Sequence, residues 1–302
     1  MKASLHDVMR VGIIHFMAYP KCMGGDGPII ETLAALAHDD FFEVIEVTQM
    51  KDPAVRRQAR ALADQARVEL CFGAQPILLG GKLDLNHPDE GKRLAAVEAA
   101  LDGIDQAEEL GCKAVAVLSG KVSADREAAK GRLIDSLKQL CRCARPKGMA
   151  IVLETFDQVG FGKNCLIGPT SEAVEISQEM RREFPSFGLL LDLSHLPLLD
   201  ETSEHAIRTA GEHLVHAHMG NCAMDDPGHE AYGDNHPRFG APGTRNDAPE
   251  LAAYLRALLD IGYLSDTSRG VLSFEVKPMT GESPEAVVAG SKRALVEAWR
   301  RV

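Results

Sequence analysis

Short apolar runs alternate with longer amphipathic stretches along the whole chain, and this alternation limits the fold more than any other feature. Each run is rich in valine, isoleucine and leucine, as expected of strands that are buried on both faces. The eight runs cover residues 11–16, 43–47, 68–73, 113–119, 149–155, 188–194, 214–219 and 270–276. Strand–helix alternation predicts a parallel sheet, and eight repeats predict that it closes into an α/β fold of the (β/α)8 TIM-barrel type.

The segments between the runs carry helix signals. Apolar residues within 89–110 recur at three- and four-residue steps, or multiples of them, and form one stripe. Asp247 and Glu250 have the spacing of a capping box, and Thr170 or Ser171 is expected to cap another helix. The first run is not followed by a glycine-rich dinucleotide motif, and there is no P-loop. Because no linker-like composition interrupts the pattern, we expect residues 1–302 to form a single domain.

The charge balance narrows the classes of partner. Lysine and arginine number 33 against 44 acidic residues, which gives a net charge of -11 and argues against binding to nucleic acid or to anionic membranes. No apolar run approaches the ~18 residues that cross a bilayer, and the first residues lack a secretory signal pattern. The seven cysteines include no Cys-x-x-Cys and indicate free thiols. We therefore expect a cytoplasmic protein.

Long connections are predicted at one end of the barrel. Between Met219 and Asp247 the sequence has no helical or strand period and is dense in glycine, proline, aspartate and histidine. Loops of this length in compact domains are usually functional or disordered. This one follows the seventh strand, at the catalytic end of a barrel. The glycine-rich loops 17–28 and 75–88 are expected to form walls of the same mouth.

Polar side chains lie where the predicted strands end, which is where a TIM barrel places its chemistry. These residues are His15, Glu46, Gln75, Ser119, Glu154, Asp192 with His195, His218 and Glu275. Taken singly, each has a structural explanation, such as a buried cap for Asp192 or a core histidine for His218. Their coincidence at the same level of successive strands favours a site.

Four of these residues, on four consecutive strands, form a candidate metal-binding set: Glu154, Asp192, His218 and Glu275. Three carboxylates that converge at one barrel mouth would repel one another unless a cation lay between them. Three oxygen ligands and one nitrogen ligand suit a divalent ion such as Mn²⁺, Mg²⁺, Co²⁺ or Zn²⁺. We therefore predict one bound divalent metal ion.

From Val11 to about Ala298, the chain resembles the xylose isomerase-like TIM-barrel superfamily of sugar isomerases and epimerases, which shares its fold with endonuclease IV. The motifs that carry this resemblance are Glu154 in IVLETFD, Asp192-x-x-His195 in LLLDLSHLPL, the His-x-His of VHAHMGN that ends at His218, Glu275 in LSFEV, and Asp234-Asn235-His236 followed by Gly240 and Gly243.

The resemblance implies roles for these positions. Glu154, Asp192, His218 and Glu275 would bind one Mn²⁺-like ion, and Glu154 and Glu275 would act as catalytic base and acid on opposite faces of the substrate. His195 and His236 would contact substrate oxygens. Asp234 would orient His236 or help to bind a second ion.

Further expectations concern the rest of the mouth. His15 and Glu46 are expected to line the pocket floor and to bind substrate, with a contact between the two residues as the alternative. Lys277 and Arg238 are candidates to meet a carboxylate or phosphate, with solvated surface residues as the alternative.

Departures from the relatives alter the expected substrate contacts. Epimerases of the tagatose or psicose type carry an arginine where this chain has Met224 and a second glutamate where it has Gly160. Endonuclease IV takes zinc-binding histidines from strands three and four, where this chain has Gln75 and Ser119. The sequence therefore supports neither the ketohexose contacts nor the trinuclear zinc cluster.

Several functions remain open at this stage. The leading hypothesis is a metal-dependent isomerase or epimerase of a small-molecule sugar or sugar acid, acting through an enediolate. The alternatives are a dehydratase or decarboxylase on the same scaffold, an endonuclease IV-like zinc hydrolase, and a binding protein without catalysis. A homo-oligomer is left open, since relatives are often dimers or tetramers.

Overall fold

Parallel strands close into a barrel around one axis. A computed structural model of the chain describes residues 4–158 and 160–302. The strands are β1 (Met9–Ile14), β2 (Val44–Val47), β3 (Glu69–Gly73), β4 (Ala114–Leu118), β5 (Ala150–Glu154), β6 (Gly188–Asp192), β7 (Leu214–Gly220) and β8 (Gly270–Glu275). Neighbours in sequence are neighbours in the sheet, and β8 pairs in parallel with β1, with Leu272 opposite Val11. The predicted single-domain (β/α)8 TIM barrel is confirmed, and each predicted apolar run overlaps one strand, although β1 begins two residues before its run and β7 ends one residue after its run.

Helices alternate with the strands, and the longer of them cover the outside of the barrel. They are α1 (Leu5–Val8), α2 (His15–Ala18), α3 (Ile29–Ala37), α4 (Pro53–Ala66), α5 (Gln75–Gly80), α6 (Glu90–Leu110), α7 (Arg126–Ala144), α8 (Thr170–Arg181), α9 (His195–Leu198), α10 (Ser203–Ala210), α11 (Ala248–Asp260) and α12 (Pro284–Arg301). Single turns of 3₁₀ helix cover Pro20–Cys22, Arg145–Lys147 and Gly211–His213. Within the described ranges, no helix has both the length and the apolar character to span a bilayer.

Two of the predicted helix starts are confirmed. The predicted helix 89–110 is α6, and the side chain of Asp89 accepts a hydrogen bond from the Lys92 backbone N–H at 2.9 Å. At the start of α11, Asp247 and Glu250 form the predicted capping box. Each cap satisfies a backbone N–H that has no partner within the helix.

The predicted cap at Thr170 or Ser171 is wrong. Thr170 is already the first residue of α8, and Pro169, in an extended conformation, holds the position before it. The Thr170 hydroxyl instead donates a hydrogen bond to Glu201 Oε2 at 2.6 Å. The Thr170 hydroxyl therefore binds Glu201, which follows β6 in the chain, and does not cap α8.

The barrel interior is apolar at one level and polar at the next. Two small buried clusters occupy the axis: Val44, Cys71 and Val271, and Ala116, Val152 and Leu190. Because side chains two residues apart on a strand share a face, the residues that follow these at a spacing of two also point inward. They include Glu46, Glu154, Asp192 and, four beyond Val271, Glu275. Strand periodicity therefore brings these acids to the carboxyl-terminal end of the axis.

Two buried asparagines hold the ends of the long segment 221–247 between β7 and α11. The side-chain oxygen of Asn221 accepts hydrogen bonds from the backbone N–H groups of Cys222 at 2.9 Å and Asn246 at 2.7 Å. Asn246 Nδ2 donates to the carbonyl oxygens of Gly220 at 3.0 Å and Leu193 at 3.2 Å. These contacts bring the two ends of the segment together beside the barrel mouth.

The seven cysteines are all free; six are buried and Cys143 is half-buried. Burial raises the pKa of Cys112, Cys141 and Cys165 to about 12. These thiols are therefore protonated at neutral pH and are poor nucleophiles.

Candidate metal centre and active site

The four strand-end residues predicted to bind a metal come together at the barrel mouth. Each of Glu154, Asp192, His218 and Glu275 offers one ligand atom, and these atoms all lie within 4.8 Å of one another. His218 Nδ1 is 2.9 Å from Glu275 Oε2, 3.6 Å from Glu154 Oε1 and 4.0 Å from Asp192 Oδ2. Ligands at about 2.1 Å from one ion stand roughly 3.0 to 3.5 Å apart at adjacent positions and about 4.2 Å apart at opposite ones. The separations fit a single ion.

The hydrogen bonding at this cluster also fits a cation. Glu154 Oε1 and Asp192 Oδ2 are buried and accept no hydrogen bond from the described residues. A buried carboxylate oxygen without a partner is costly, and both oxygens lie beside His218 Nδ1. A divalent ion would provide the missing partner for both. With three carboxylates and one imidazole, the set suits Mn²⁺, Mg²⁺, Co²⁺ or Zn²⁺.

The four side chains differ in their access to the mouth. Glu154, His218 and Glu275 line a cavity of about 450 Å³ that opens at the carboxyl-terminal ends of the strands. Asp192 lies behind the cavity wall with 0% exposure, and its Oδ1 accepts a hydrogen bond from the Ser194 backbone N–H at 2.5 Å. The two glutamates can therefore touch a molecule bound in the cavity, whereas Asp192 cannot.

Glu46 binds two histidines across the barrel interior. Its Oε1 lies 2.7 Å from His216 Nε2, and His218 Nε2 lies 3.1 and 3.2 Å from its two oxygens. Burial opposes ionisation of Glu46, but the two imidazoles outweigh it and hold the pKa of this carboxyl well below its usual range. Glu46 also lines the cavity, so the expected floor position agrees with its location.

A second cluster lies beside the first and is centred on Asp234. Its Oδ1 lies 2.7 Å from His236 Nε2 and 3.0 Å from His195 Nε2, and its Oδ2 lies 3.2 Å from Lys163 Nζ. Burial opposes the charge, but His236, Lys163 and His195 together hold the pKa of Asp234 well below its usual range. His236 Nε2 is also 3.3 Å from Glu275 Oε1, which joins this cluster to the candidate metal centre.

Two of the residues predicted to bind substrate do not line the cavity. His195 is fully buried, with Nδ1 2.7 Å from the Thr155 carbonyl oxygen and Nε2 beside Asp234. Burial opposes its protonation, yet Asp234 raises the pKa of His195 to about 10, so both ring nitrogens act as donors. His15 Nε2 lies 2.7 Å from Thr32 Oγ1, away from the cavity. The structure thus places both histidines behind the mouth, where they support other groups.

Two polar residues of the site had no role assigned from the sequence. Gln75 Nε2 donates a hydrogen bond to Glu154 Oε2 at 2.7 Å and thereby orients that carboxylate. Lys163 reaches Asp234 from the loop after β5. Gln75 could have been assigned to the site from its position just after β3. Lys163 could not, because its loop has no periodicity that would predict where the side chain points.

One wall of the cavity is apolar, and the predicted wall loops supply much of it. The apolar lining includes Phe16, Met17, Met23, Pro76, Leu79 and Phe156. These side chains exclude water from one side of the mouth. The expectation that loops 17–28 and 75–88 form walls of the mouth agrees with this lining.

Backbone geometry at the site leaves little room for change. A Cβ atom on Gly220 would lie 2.8 Å from Asp192 Oδ1 and 3.0 Å from His236 Nδ1. His236 itself has φ of 51°, in the left-handed region that a side chain rarely adopts. Its carbonyl oxygen accepts a hydrogen bond from the Lys277 backbone N–H at 2.7 Å, which ties the loop to the end of β8. Such strain is typical of functional sites.

Comparisons with known proteins agree with this architecture. A D-psicose 3-epimerase from Ruminiclostridium cellulolyticum is 27% identical over 104 residues, and the match spans 34% of each protein. The structure of D-psicose 3-epimerase with D-tagatose from Clostridium cellulolyticum superposes with a TM-score of 0.70 at 19% identity, covering 95% of this chain and 99% of that one. An IOLI protein with a bound zinc atom gives a TM-score of 0.74 at 18% identity, covering 97% and 99%. Residues 34–297 match the model of the xylose isomerase-like TIM barrel family, and the chain therefore belongs to that family.

Proposed function

We propose that this chain is a divalent-metal-dependent isomerase or epimerase of a sugar or sugar acid. The observation that carries the proposal is the placement of Glu154 and Glu275. Both line the same cavity, at 3.6 and 2.9 Å from His218 Nδ1, and they extend from strands three positions apart in the barrel. The similarity to a D-psicose 3-epimerase over a third of the chain supports the same class of reaction.

The metal would be held by Glu154 Oε1, Asp192 Oδ2, His218 Nδ1 and Glu275 Oε2. When bound, such an ion polarises a substrate carbonyl and its neighbouring hydroxyl and so acidifies the adjacent C–H bond. Asp192 would contribute charge to a bound ion without access to the substrate, since it lies behind the cavity wall. Two cavity-lining carboxylates are thereby left to handle protons.

Each glutamate has one oxygen near His218 and the other beside a hydrogen-bond donor. Glu154 Oε2 is held by Gln75, and Glu275 Oε1 lies 3.3 Å from His236 Nε2. In an epimerase, one glutamate removes the proton from one face of the substrate carbon and the other returns a proton to the opposite face. In an isomerase, the proton returns to the neighbouring carbon. The donor beside Glu154 is an amide and the donor beside Glu275 is an imidazole. This difference helps to make one glutamate the base and the other the acid.

The Asp234 cluster would bind and polarise substrate oxygens. His236 lines the cavity, and Asp234 raises the pKa of its imidazole against the effect of burial. A protonated His236 can donate to a substrate oxygen, while Lys163 and His195 hold Asp234 in place. Because Lys163 already supplies positive charge beside Asp234, we do not propose a further metal ion there or a nuclease of the trinuclear type.

A lyase on the same scaffold is the second candidate function, and the residues at two positions support it. Met224 and Gly160 replace the arginine and glutamate of tagatose- or psicose-type epimerases, and neither residue lines the cavity. The substrate contacts of those enzymes are therefore not reproduced here. A dehydratase would use the same glutamates to remove a proton and would then release water. A decarboxylase would release carbon dioxide by cleaving a carbon–carbon bond and would then protonate the carbon that is left.

Proton exchange in D₂O tests the proposal. Protein stripped by a chelator and reloaded with Mn²⁺, Mg²⁺, Co²⁺ or Zn²⁺ is incubated with ketoses, aldoses and sugar acids, and the C–H signals are followed by NMR. We expect exchange at one carbon, lowered about 100-fold or more in Glu154→Gln and in Glu275→Gln. Glu98→Gln, an exposed acid on α6, is the matched control. Full activity in either active-site variant, or no exchange by loaded protein with any compound, would overturn the proposal.

A further inference from the structure

Lys277 lines the cavity, and no carboxylate of the described residues lies within ion-pair distance of its ammonium group. The exposed Glu230 is the acid whose pKa Lys277 helps to lower, from beyond that distance. The Lys277 side chain is half-buried and lines the cavity together with Glu275, two residues before it. Within residues 4–158 and 160–302, its ammonium group makes no ion pair or hydrogen bond, whereas the other lysine of the cavity, Lys163, is paired with Asp234 at 3.2 Å. A partly desolvated charge with no partner is costly, and a bound anion reduces that cost.

The acids of the cavity are engaged elsewhere. Glu275 directs its oxygens to His218 at 2.9 Å and His236 at 3.3 Å, although Lys277 is only two residues away. Glu46 binds His216 and His218, as described above. Among the described residues, Lys277 is therefore the cation of the cavity lining that has no carboxylate within ion-pair distance.

Lys277 shares the cavity with the two candidate catalytic glutamates. It follows Glu275 by two residues, and Glu154, Glu275 and Lys277 all line the same cavity of about 450 Å³. A substrate whose reacting carbon lies beside Glu154 and Glu275 can thus place a carboxylate at Lys277. We propose that the substrate is a sugar acid and that Lys277 binds its carboxylate; this inference rests on the proposed function.

A carboxylate fits this part of the cavity better than a phosphate ester does. Phosphate sites in TIM barrels use backbone N–H groups and a helix N-terminus after strands seven and eight. Here α12 begins with Pro284, and the Ser283 hydroxyl already accepts from the Ala286 N–H at 3.3 Å. Arg238, the neighbouring cation, is paired with Glu282 at 2.7 Å. The Lys277 ammonium group is the cation that remains, and its single positive charge matches the single negative charge of a carboxylate.

Matched pairs of probes test this inference without knowledge of the natural substrate. Threonate, xylonate and gluconate are compared with threitol, xylitol and glucitol by calorimetric titration into the metal-loaded protein. We expect at least one aldonate to bind about ten- to a hundredfold tighter than its alditol. The net charge of -11 repels anions, so it cannot produce this preference.

Variants connect the preference to Lys277. Lys277→Met should reduce the aldonate preference to about onefold, and Lys277→Arg should retain most of it. Lys113→Met removes one exposed lysine at the opposite end of the barrel and should leave the preference unchanged. Because a bound divalent ion can itself prefer an aldonate to an alditol, Lys277→Gln is a second neutral variant that tests the inference even if Lys277→Met folds poorly.

The outcomes separate this inference from the proposed function. Equal binding of aldonates and alditols, or tighter binding of sugar phosphates than of aldonates, would overturn the inference. If neutral sugars exchange protons equally fast on the parent and on Lys277→Met, the proposed function stands and the assignment of Lys277 fails. If aldonates bind through Lys277 but no compound exchanges a proton, the anion site stands and the proposed function fails.

Discussion

Glu46 accepts a hydrogen bond from His218 Nε2, at 3.1 and 3.2 Å from its two oxygens, and this contact leaves His218 Nδ1 facing Glu154 and Glu275. The two residues lie on β2 and β7, so the contact crosses the barrel interior. A neutral imidazole that carries its proton on Nε2 has its lone pair on Nδ1, the atom that a metal requires. With a metal on Nδ1, Glu46 would hold His218 in this tautomer and orientation. In the metal-free protein, burial opposes protonation of the ring, but the surrounding glutamates raise the pKa of His218 well above its usual range.

Glu46→Gln should weaken metal binding by about 10- to 100-fold, because a neutral amide no longer stabilises the Nε2 proton of His218. The dissociation constant is measured by competition with a chromophoric chelator. Glu98→Gln on the surface of α6 is the control. An unchanged dissociation constant would show that Glu46 has no part in presenting His218.

Asp192→Asn should separate fold stability from metal binding. The Oδ2 atom of Asp192 is buried and accepts no hydrogen bond from the part of the chain that the structure describes, so an amide that carries no charge should raise the melting temperature of the metal-free protein. The same change removes a charged ligand, so Zn²⁺ or Mn²⁺ should no longer raise the melting temperature. The measurement is thermal unfolding with and without each ion. A stabilisation by metal equal to that of the parent would contradict this assignment.

Gly220→Ala should damage the candidate metal centre. The added methyl would lie 2.8 Å from Asp192 Oδ1 and 3.0 Å from His236 Nδ1, so both side chains must move. We expect a lower melting temperature and weaker metal binding. Gly131→Ala is the matched control, because a Cβ on Gly131 in α7 meets no atom within 4 Å. That change should stabilise the protein by about 0.5 to 1 kcal/mol, and a similar gain in Gly220→Ala would refute the close contact.

His15 should make the protein sensitive to mild acid. Burial lowers the pKa of His15 from 6.5 to about 4. Between these values the unfolded chain binds a proton that the folded chain does not, so the stability falls as the pH falls from 6.5 towards 4. His15→Gln removes this effect and should reduce the loss across the window by up to about 3 kcal/mol.

Urea unfolding at several pH values across this window measures the effect. His205→Gln changes an exposed histidine on α10 and serves as the control. A His15→Gln protein that loses stability with the same pH slope as the parent would show that His15 titrates normally in the folded state.

Much of the fold and of the candidate metal centre could be predicted because both follow from strand periodicity. Val152 and Glu154 are two residues apart on β5, so the inward direction of an apolar residue predicts that of the acid. The same reasoning applies to Leu190 and Asp192 on β6. Closure of the barrel then brings the strand ends together. This closure could be expected from the eight strand–helix repeats alone.

Residues on loops and short helices could not be placed in this way. His195 begins the four-residue helix α9, and its ring turns into the interior, where Asp234 and the Thr155 carbonyl oxygen bind it. Lys163 lies on a segment without periodicity, so its approach to Asp234 depends on the three-dimensional path of two loops. Such contacts connect residues 39 to 71 positions apart, and local sequence carries no information on them.

The asparagine pair that closes the long segment after β7 has a mechanical consequence. Asn221 and Asn246 fasten its two ends to the barrel, and the Lys277 backbone N–H fastens His236 separately. The outermost turns, around residues 225–230, are largely exposed and take no part in these attachments. That stretch can therefore accumulate substitutions, or gain and lose residues, while Asp234 and His236 keep their positions at the barrel mouth.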